Sequence, residues 1–472
     1  MKKRKVFIFT VGIIATSISL ALHDTVPTNL TDSLYDYSTY IPWASQGGKY
    51  TRSGQSTHIG PRAGVIKWIF EFEGAISGNI AVGKNGQILA ACEEGLYCID
   101  PNGILLWIYQ TEAELTSSPS LGSDQTTYVG DANGILHAVD SAGVELWTYA
   151  TGGPIYGAPA VSDNDWIYVA SEDGTLYALD KNGAEQWRFQ THGPGIFEGA
   201  ILASPTIGPD GSIYTCGLYD PNLYALSPDT GDVRWIDHEP APATRGGTGT
   251  RQRALADLGN QPVLRSKRTL SHPVVNDNNG MIYQIALHDP NLYAVNPSDG
   301  TICWKTNLIE HEMIEENITS ESGWYEPTIG PDGTIYASLN DPYIRAVEPN
   351  DGTIKWVAKL EDSEGYHLVV DNTGYIYAAG DGGHLYVLTP DGQPVAGMQT
   401  GGKLGYPVIA EDHQILITYN EVKVSETEVE SVSRIIAITD ESIVLQWEDQ
   451  LGAMPGVPET SDTEENGQNR RR

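Results

Sequence analysis

The stretch that decides the fold reads Gly174-Thr-Leu-Tyr-Ala-Leu-Asp180 and continues, two residues later, as Gly183-Ala-Glu-Gln-Trp187. Two short apolar runs joined by a Gly-containing turn predict an antiparallel pair of strands. A Gly four residues before a Trp recurs along the chain, at Gly64/Trp68, Gly103/Trp107, Gly143/Trp147, Gly183/Trp187, Gly231/Trp235, Gly300/Trp304 and Gly352/Trp356. The pair Gly392/Ala396 then lacks the Trp, and Trp447 ends the series without its Gly.

Each interval holds four strand-like runs, here called a, b, c and d. Strand a is a short run such as Pro205-Thr-Ile-Gly208, and the turn Pro209-Asp-Gly211 follows it. Strand b carries Ile-Tyr, strand c carries Leu-Tyr-Ala, and strand d carries the Trp. Four antiparallel strands repeated eight times predict an all-β protein, an eight-bladed β-propeller of four-stranded antiparallel blades.

The position of the first Trp bears on how the ring closes. We expect each Trp to dock between adjacent blades, where its N–H needs a partner. The strand around Trp68 precedes the first full unit, so we expect it to join the last blade and close the ring. The alternative is an extra strand at the closure.

Composition narrows the classes of function. The chain has 472 residues, which could form three domains, but the repeat favours one large ring. Its net charge of −33 argues against binding the backbone of DNA or RNA, which needs a basic surface. The four cysteines are too few for a disulfide scaffold. A disulfide between Cys92 and Cys98 depends on whether the two side chains share a face of the sheet.

The N-terminus predicts export. Basic residues 2–5 precede an apolar run over 6–22, which is typical of a signal peptide; an uncleaved anchor is the alternative and the only membrane contact we expect. We therefore divide the chain into a signal peptide or anchor (1–22), an N-terminal extension (23–59), the propeller (60–455) and a disordered tail (456–472). We expect a monomer that is periplasmic, in the cell envelope or extracellular.

Long connections are predicted on one face of the ring only. The d-to-a and b-to-c connections share one face, here called the loop face, and the a-to-b and c-to-d turns share the other, the turn face. Long segments fall at His192–Ala203, Asp237–Leu270, Asn307–Gly323 and Asn420–Ser433, all of them on the loop face. Loops on a rigid scaffold commonly bind partners, although insertions also accumulate without function.

One of these segments is basic. Asp237–Leu270 carries Arg245, Arg251, Arg253, Arg265, Lys267 and Arg268. The functional interpretation is contact with an anion or an acidic partner. The alternative, which we favour from sequence, is pairing with the protein's own acidic surface, such as Glu310–Glu321.

The residues before strand a predict a polar channel mouth. Going round the ring they are Asn79, Ser118, Ala158, Ser204, His272, Glu326, His367 and Tyr406. His272, Glu326 and His367 come from three successive blades, and two imidazoles with a carboxylate can bind Zn²⁺ or another divalent ion. A hydrated channel mouth without a metal is the other interpretation.

The repeat resembles that of the pyrroloquinoline quinone (PQQ)-like β-propellers over about residues 60–450. The opening Pro42-Trp43, Arg52-Ser53-Gly54, Gly60-Pro61 and Lys67-Trp68 is also similar to the start of exported proteins of that type. The family includes quinone dehydrogenases and the propeller subunit of the outer-membrane barrel assembly machinery. The dehydrogenases use a vicinal disulfide and a calcium site, but this chain has no adjacent cysteines and no matching calcium segment, so the resemblance implies the fold and not PQQ.

The sequence thus favours a non-catalytic exported propeller that binds a protein or a cell-envelope polymer through its loop face. The rival is an enzyme or ligand-binding protein with His272, Glu326 and His367 at its centre, distantly related to the quinone dehydrogenases. The barrel-assembly propeller is lipid-anchored through a cysteine, and no cysteine follows the apolar run here.

Overall fold

The computed structural model describes residues 51–440, except for 63, 73, 192–199, 218–221, 238–270, 287–288, 310–324, 362–364, 412 and 425–428. The predicted signal peptide, the basic residues between 245 and 268 and the predicted tail lie outside the described residues.

Every regular element in the described part of the chain is a β-strand, and the strands form eight antiparallel blades. The first four blades are β2 (Ala81–Val82), β3 (Ile88–Cys92), β4 (Gly95–Ile99) and β5 (Leu105–Gln110); β6 (Ser120–Leu121), β7 (Thr127–Gly130), β8 (Ile135–Val139) and β9 (Glu145–Ala150); β10 (Ala160–Val161), β11 (Ile167–Ala170), β12 (Thr175–Leu179) and β13 (Glu185–Gln190); β14 (Thr206–Ile207), β15 (Ile213–Cys216), β16 (Leu223–Leu226) and β17 (Val233–Ile236). Blades 5 to 7 are β18 (Val274–Val275), β19 (Ile282–Ala286), β20 (Asp289–Val295) and β21 (Ile302–Asn307); β22 (Thr328–Ile329), β23 (Ile335–Ser338), β24 (Tyr343–Val347) and β25 (Ile354–Lys359); β26 (Tyr366–Val370), β27 (Ile376–Gly380), β28 (His384–Leu388) and β29 (Pro394–Gln399). The predicted eight-bladed propeller is confirmed.

Blade 8 joins the two ends of the ring. It contains β31 (Val408–Ala410), β32 (Gln414–Val424) and β33 (Val429–Thr439), and its outer strand is β1 (Val65–Phe72); a short strand β30 (Lys403–Leu404) also pairs with β32. Trp68 of β1 lies opposite Ala437 of β33. The N-terminal strand therefore closes the ring, as the position of the first Trp predicts.

The repeated Trp fastens each blade to the next. The indole N–H of Trp147 in blade 2 donates to the carbonyl of Lys181 in blade 3 at 2.9 Å. Equivalent bonds run from Trp68, Trp107, Trp187, Trp235, Trp304 and Trp356 to the c-to-d turn of the next blade. We call this bond with its packing the Trp latch. It satisfies the indole N–H while the ring fills the space between sheets.

The repeated Gly exists because of the latch. Gly183 has φ +82°, and a Cβ built there would lie 2.7 Å from the Trp147 ring, closer than carbon atoms can approach. Each such Gly therefore packs against the Trp of the preceding blade, and not against the Trp four residues later in its own blade. A residue other than Gly would meet both the strained backbone and the indole.

The seam between blades 7 and 8 has a different fastening, since Ala396 stands where blade 7 would carry its Trp. Here the Arg62 guanidinium contacts the Asp371 carboxylate at 2.7 Å and stacks on the Tyr375 ring at 3.5 Å, both in blade 7. The backbone N–H of Arg62 donates to Asp440, which follows β33, at 2.6 Å. Arg62 thereby bridges the seam where no indole is available.

One predicted loop is not a loop. Asn420–Ser433, expected as a b-to-c connection, continues the two strands: Asn420 pairs with Ser433, and pairing extends to Val424 opposite Val429. The sequence missed this because its charged and polar residues resemble a surface loop. The insertion is an extended hairpin of blade 8.

Cys92 and Cys98 are free thiols that lie on opposite faces of blade 1. Cys92 is part of the core between blades 8 and 1, whereas Cys98 is part of the core between blades 1 and 2. Cys92 pairs with Gly95 and Cys98 with Leu89, so their side chains cannot meet without a change of register. Among the described residues, no helix has the length and apolar character that a membrane span requires.

Candidate functional site

The long connections lie where their order along the chain predicts. Those after β13, β17 and β21 each run from the outer strand of one blade to the inner strand of the next. Their central parts, including all six basic residues between 245 and 268, lie outside the described residues.

The inside of the ring is occupied by the protein's own N-terminal extension. Residues 51–62, here called the strap, lie along the inner strands of three consecutive blades. The carbonyl of Thr51 accepts from the Val275 N–H at 2.9 Å, and that of Ser53 accepts from the Ile329 N–H at 2.9 Å. Gly54 then accepts from Val370 at 3.0 Å. These bonds satisfy backbone groups of both the strap and the inner strands.

A close approach fixes the course of the strap at Gly54. Its φ is +65°, and a Cβ there would lie 2.7 Å from Oγ1 of Thr328 on the inner strand of blade 6. Only Gly provides both the left-handed backbone and the clearance. The next residues pair with the neighbouring blade, since Ser56 N–H donates to the Val370 carbonyl at 2.8 Å.

Arg52 is the one arginine between residues 23 and 59, and its side chain is buried inside the ring, 1% exposed. Its Nε donates to the carbonyl of Pro205 at 3.0 Å, and its Nη2 donates to the carbonyl of Ala158 at 3.0 Å. Burial lowers the pKa of Arg52 to about 10, against the opposing effect of Glu326 and Tyr406. The guanidinium therefore stays charged at neutral pH.

Glu326, a predicted mouth residue, supplies the negative charge on this side of the ring. It is 4% exposed, and its Oε1 lies 2.5 Å from Nδ1 of His272. Burial opposes ionisation of the carboxyl, but His272, Arg52 and His367 outweigh it, so the pKa of Glu326 lies below its usual value. The structure thus brings two of the three predicted residues into direct contact.

His367 is placed differently. Its ring lies between aromatic side chains, with centroids 5.2 Å from Tyr325 and 4.3 Å from Tyr406. Its Nε2 lies 3.8 Å from the Asp381 carboxylate. Burial lowers the pKa of His367 to about 4, with Asp381 opposing the shift and Lys403 adding to it, so the imidazole is neutral at physiological pH.

Tyr406 connects these residues to the other side of the mouth. Its hydroxyl accepts from the Glu326 N–H at 3.3 Å, and its own N–H donates to Oδ1 of Asn79 at 3.3 Å. Asn79 N–H donates in turn to the Ser118 hydroxyl at 2.9 Å. Burial and Glu326 raise the pKa of Tyr406 well above its ordinary value, which keeps the phenol protonated.

The chemistry of this mouth cluster (Arg52, His272, Glu326, His367 and Tyr406) is that of a paired charge network. In the part of the chain that the structure describes, no three His, Cys, Asp or Glu side chains are arranged to hold a metal ion. A guanidinium beside Glu326 also repels a divalent cation. Sequence reasoning missed Arg52, although its position two residues before a Gly in an otherwise arginine-free extension was a signal.

Comparison with known proteins finds a family model that matches part of the repeat. Residues 92–272 match the family model described as outer membrane protein assembly factor BamB. Comparison with curated protein sequences finds no match.

Among solved structures, the chain is similar to BamB from Moraxella catarrhalis, with 17% identity over 79% of this chain and 99% of that one and a TM-score of 0.57. It is similar to quinohemoprotein alcohol dehydrogenase from Comamonas testosteroni, with 13% identity over 84% of this chain and 80% of that one and a TM-score of 0.62. It is also similar to the computationally designed Ika8 protein, with 12% identity, coverage of 80% and 99%, and a TM-score of 0.55.

At such identities the likeness is one of fold. An assembly factor, a dehydrogenase and a designed protein share this architecture, so the architecture by itself does not select a function. The Gly-to-Trp repeat, the match over residues 92–272 and the eight-bladed ring together show an eight-bladed β-propeller whose repeat is similar to that of the PQQ-like family.

Proposed function

We propose that this protein is an exported, non-catalytic scaffold of the cell envelope that binds a protein or an envelope polymer through its loop face. The observation that carries the proposal is the strap inside the ring. A ligand on the propeller axis would have to displace Arg52 and the backbone bonds of residues 51–56. The outer faces are then the surfaces left for binding.

The two faces differ in what they offer a partner. Turns on the turn face are short and close on themselves, as where Asp180 Oδ1 accepts from the Asn182 and Ala184 N–H groups at 2.8 and 3.0 Å. The connections on the loop face are long, and one of them carries six basic residues in a chain of net charge −33. A partner with an acidic surface matches that segment, and electrostatic steering would speed its association.

The relatives agree with a role of this kind without specifying it. The matching family model bears the description of an outer membrane protein assembly factor. We therefore propose an envelope protein or an anionic envelope polymer as the partner. The protein would meet this partner after export, directed by the basic and apolar segments at its N-terminus.

Cross-linked capture from an envelope extract tests the proposal. The full chain is compared with a loop variant in which Arg251, Arg253, Arg265, Lys267 and Arg268 are replaced by Ser. The proposal predicts partners that the unaltered chain captures and the loop variant loses, with binding that weakens as salt rises.

The matched control carries substitutions of the same kind on the turn face, at Lys181, Arg234 and Lys355. This control keeps the captured partners if the loop face binds them. Equal capture by all three chains, or loss only in the turn-face variant, would contradict the proposal.

A second candidate function is ligand binding at the channel mouth. The buried pairing of His272 with Glu326 favours it, because a buried carboxylate next to an imidazole is a common feature of ligand sites. Elemental analysis of the purified protein, together with ligand binding by His272→Ala, tests this candidate. Stoichiometric metal that is lost in His272→Ala would favour it over the scaffold.

A further inference from the structure

Arg62 shows what the space between two blades can hold on the turn face. Its guanidinium lies 3.5 Å from the centroid of the Tyr375 ring and 2.7 Å from the Asp371 carboxylate. It also donates to the hydroxyl of Thr373 at 2.6 Å and to the hydroxyl of Tyr377. An aromatic face with a carboxylate and hydroxyl acceptors beside it is a set of groups that suits a guanidinium.

Blade 3 has the same local structure at the equivalent place. Trp166 directly precedes β11, as Tyr375 directly precedes β27, and the turns before these two strands have the same length. The Ser162 N–H donates to the Trp166 carbonyl at 2.9 Å, and the Asp371 N–H donates to the Tyr375 carbonyl at 3.0 Å. The two aromatic residues therefore occupy equivalent positions in their blades.

An aromatic residue at this position is not part of the general repeat. Of the described blades 1 to 7, only blades 3 and 7 have one directly before the second strand. The other five blades have Gln87, Thr126, Ser212, Met281 and Thr334 there. In blade 7 the aromatic ring holds Arg62, so the question is what the ring of blade 3 holds.

A cavity of about 250 Å³ lies beside Trp166, between blades 3 and 4 on the turn face. We call it the 3–4 groove, and the residues that line it include Asp163, Asn164, Trp166, Tyr168, Pro228 and Asp229. Burial raises the pKa of Tyr168, and the charge of Asp229 adds to this shift, as expected for a carboxylate close to the phenol.

The two carboxylates of the 3–4 groove are available to a cation from outside. Neither Asp163 nor Asp229 forms an ion pair with a residue that the structure describes. Arg234, a cation of blade 4, pairs with Asp210 at 3.0 Å instead. The groove thus combines an aromatic face with negative charge and lacks the arginine that the seam between blades 7 and 8 has.

We propose that the 3–4 groove is a binding site for the guanidinium group of an arginine from outside this chain. Trp166 takes the place of Tyr375 as the stacking face. Asp163 and Asp229 supply the negative charge that Asp371 supplies at the seam. An ammonium group fits less well, because it is more strongly hydrated and has no plane to stack on the ring. The site lies on the turn face and does not depend on the loop-face function proposed above.

An NMR titration of the full chain, labelled with ¹⁵N at its Trp indoles, tests the proposal. The signal of Trp166 is assigned by its absence from Trp166→Phe. Trp187 gives a second signal, because its N–H donates at 2.7 Å to the carbonyl of Pro228 in the groove wall. The probes are capped glycine pentapeptides with a central arginine or a central lysine. Both signals should shift with the arginine peptide, which should bind at least about fivefold more tightly than the lysine peptide.

Two variants test the groups that form the site. Trp166→Met gives blade 3 the residue type that blade 5 has as Met281, and it should weaken binding of the arginine peptide at least about fivefold, measured on the Trp187 signal. Asp229→Asn should weaken binding by a similar factor. The matched control is Asp391→Asn, because Asp391 follows a Pro in the c-to-d turn of blade 7 as Asp229 does in blade 4. It should leave the Kd unchanged, and thermal denaturation checks that each variant is folded.

Several outcomes overturn the proposal. These are the absence of any shift of the Trp166 and Trp187 signals up to about 50 mM arginine peptide, equal Kd values for the two peptides, and a Kd that Trp166→Met leaves unchanged. A Kd at least about tenfold lower after Arg470, Arg471 and Arg472 are replaced by Ser also overturns it, because the occupant is then the chain's own tail.

Free L-arginine, as a third probe, separates the two sources of a guanidinium. Tighter binding of the arginine peptide supports an arginine side chain of another protein as the ligand. Tighter binding of the free amino acid supports a small molecule as the ligand of the same site.

Discussion

Arg52 is a buried cation of the strap that donates hydrogen bonds to backbone carbonyls of blades 3 and 4. Its charge is opposed by the carboxylate of Glu326 in blade 6. One side chain of the extension therefore interacts with three blades. A buried ion of this kind is stabilising only while all its partners remain, because each is costly to leave unpaired.

Replacing Arg52 by Met tests this balance. The variant leaves Glu326 buried with less compensation and two carbonyls without their donor, so we expect the free energy of unfolding to fall by about 3 kcal/mol. Urea denaturation at pH 7 measures the change. Arg188→Met is the control, since Arg188 pairs with Glu185 on the surface and should cost less than about 1 kcal/mol. Similar losses in the two variants would show that Arg52 is not held as a buried charge.

His367 gives the fold a pH dependence of known sign. Its pKa is about 4 when folded and close to 6.5 when unfolded, so the unfolded chain binds more protons between these values. Stability is full above pH 6.5 and falls as the pH drops toward 4, with about 2 kcal/mol lost at pH 5. Denaturation midpoints at pH 7.5 and pH 5.0 measure it.

The comparison needs a variant without this imidazole. His367→Phe keeps an aromatic ring between Tyr325 and Tyr406 and should remove most of the pH dependence between 5 and 7.5. The control His413→Asn alters an exposed histidine whose φ of 55° suits Asn, and it should keep the wild-type dependence. An unchanged slope in His367→Phe would assign the effect to another group.

At the scale of the strand, the repeat is a relation between neighbouring blades. The Trp of each outer strand lies against the Gly of the next blade and donates to its turn. The spacing of Gly and Trp within one repeat follows from this relation. Each blade's Gly contacts the Trp of the blade before it, and its own Trp contacts the Gly of the blade after it. The seam between blades 7 and 8 agrees with this relation. Blade 7 has Ala396 in place of the Trp, and a Cβ built at Gly64 of blade 8 would have its nearest neighbour, Ile438, at 4.0 Å.

Gly183→Ala tests the strand-scale packing. The added methyl meets the Trp147 ring and the left-handed backbone together, so we expect a loss of about 2–4 kcal/mol in unfolding free energy. Gly401→Ala separates the two causes, because Gly401 has φ +84° but nothing within 4 Å of the added Cβ. That control should cost only about 1 kcal/mol. Equal costs would mean that the indole moves aside freely.

At the scale of the whole molecule, the strap contacts six of the eight blades, blades 3 to 8. It bonds to blades 5, 6 and 7 through its backbone and to blades 3 and 4 through Arg52, and Arg62 then crosses the seam to blade 8. Its backbone hydrogen bonds to inner strands reach blades 5 to 7, at Val275, Ile329 and Val370. Stabilisation by the strap should therefore be uneven around the ring.

Removal of residues 1–62 tests this unevenness while keeping β1 in place. Amides of the inner strands of blades 5 to 7, including Val275, Ile329 and Val370, should exchange at least about tenfold faster, since they lose bonded partners. The inner strands of blades 1 and 2 serve as the internal control and should change little. A uniform increase over all blades would instead indicate a global loss of stability.

The repeat made the fold predictable because its signals lie between residues that are close along the chain. Hairpin turns, alternating strands and the Gly-to-Trp spacing recur within about 40 residues, so the number of blades, the strand order and the closure by Trp68 follow from pattern alone. The mouth residues could also be placed in order around the ring, since each precedes a strand a. Their pairing could not: His272 meets Glu326, while His367 turns toward two tyrosines, and only packing decides between these orientations.

What the sequence alone determined is the ring of eight blades and its closure by the strand around Trp68. What only the tertiary structure decided is that the N-terminal extension fills the ring, that Arg52 faces Glu326, and that Cys92 and Cys98 point apart. The physical reason is range. Repeat signals arise from neighbours along the chain, whereas Arg52 meets Ala158 and Pro205 across 106 and 153 residues, a contact with no period from which to infer it.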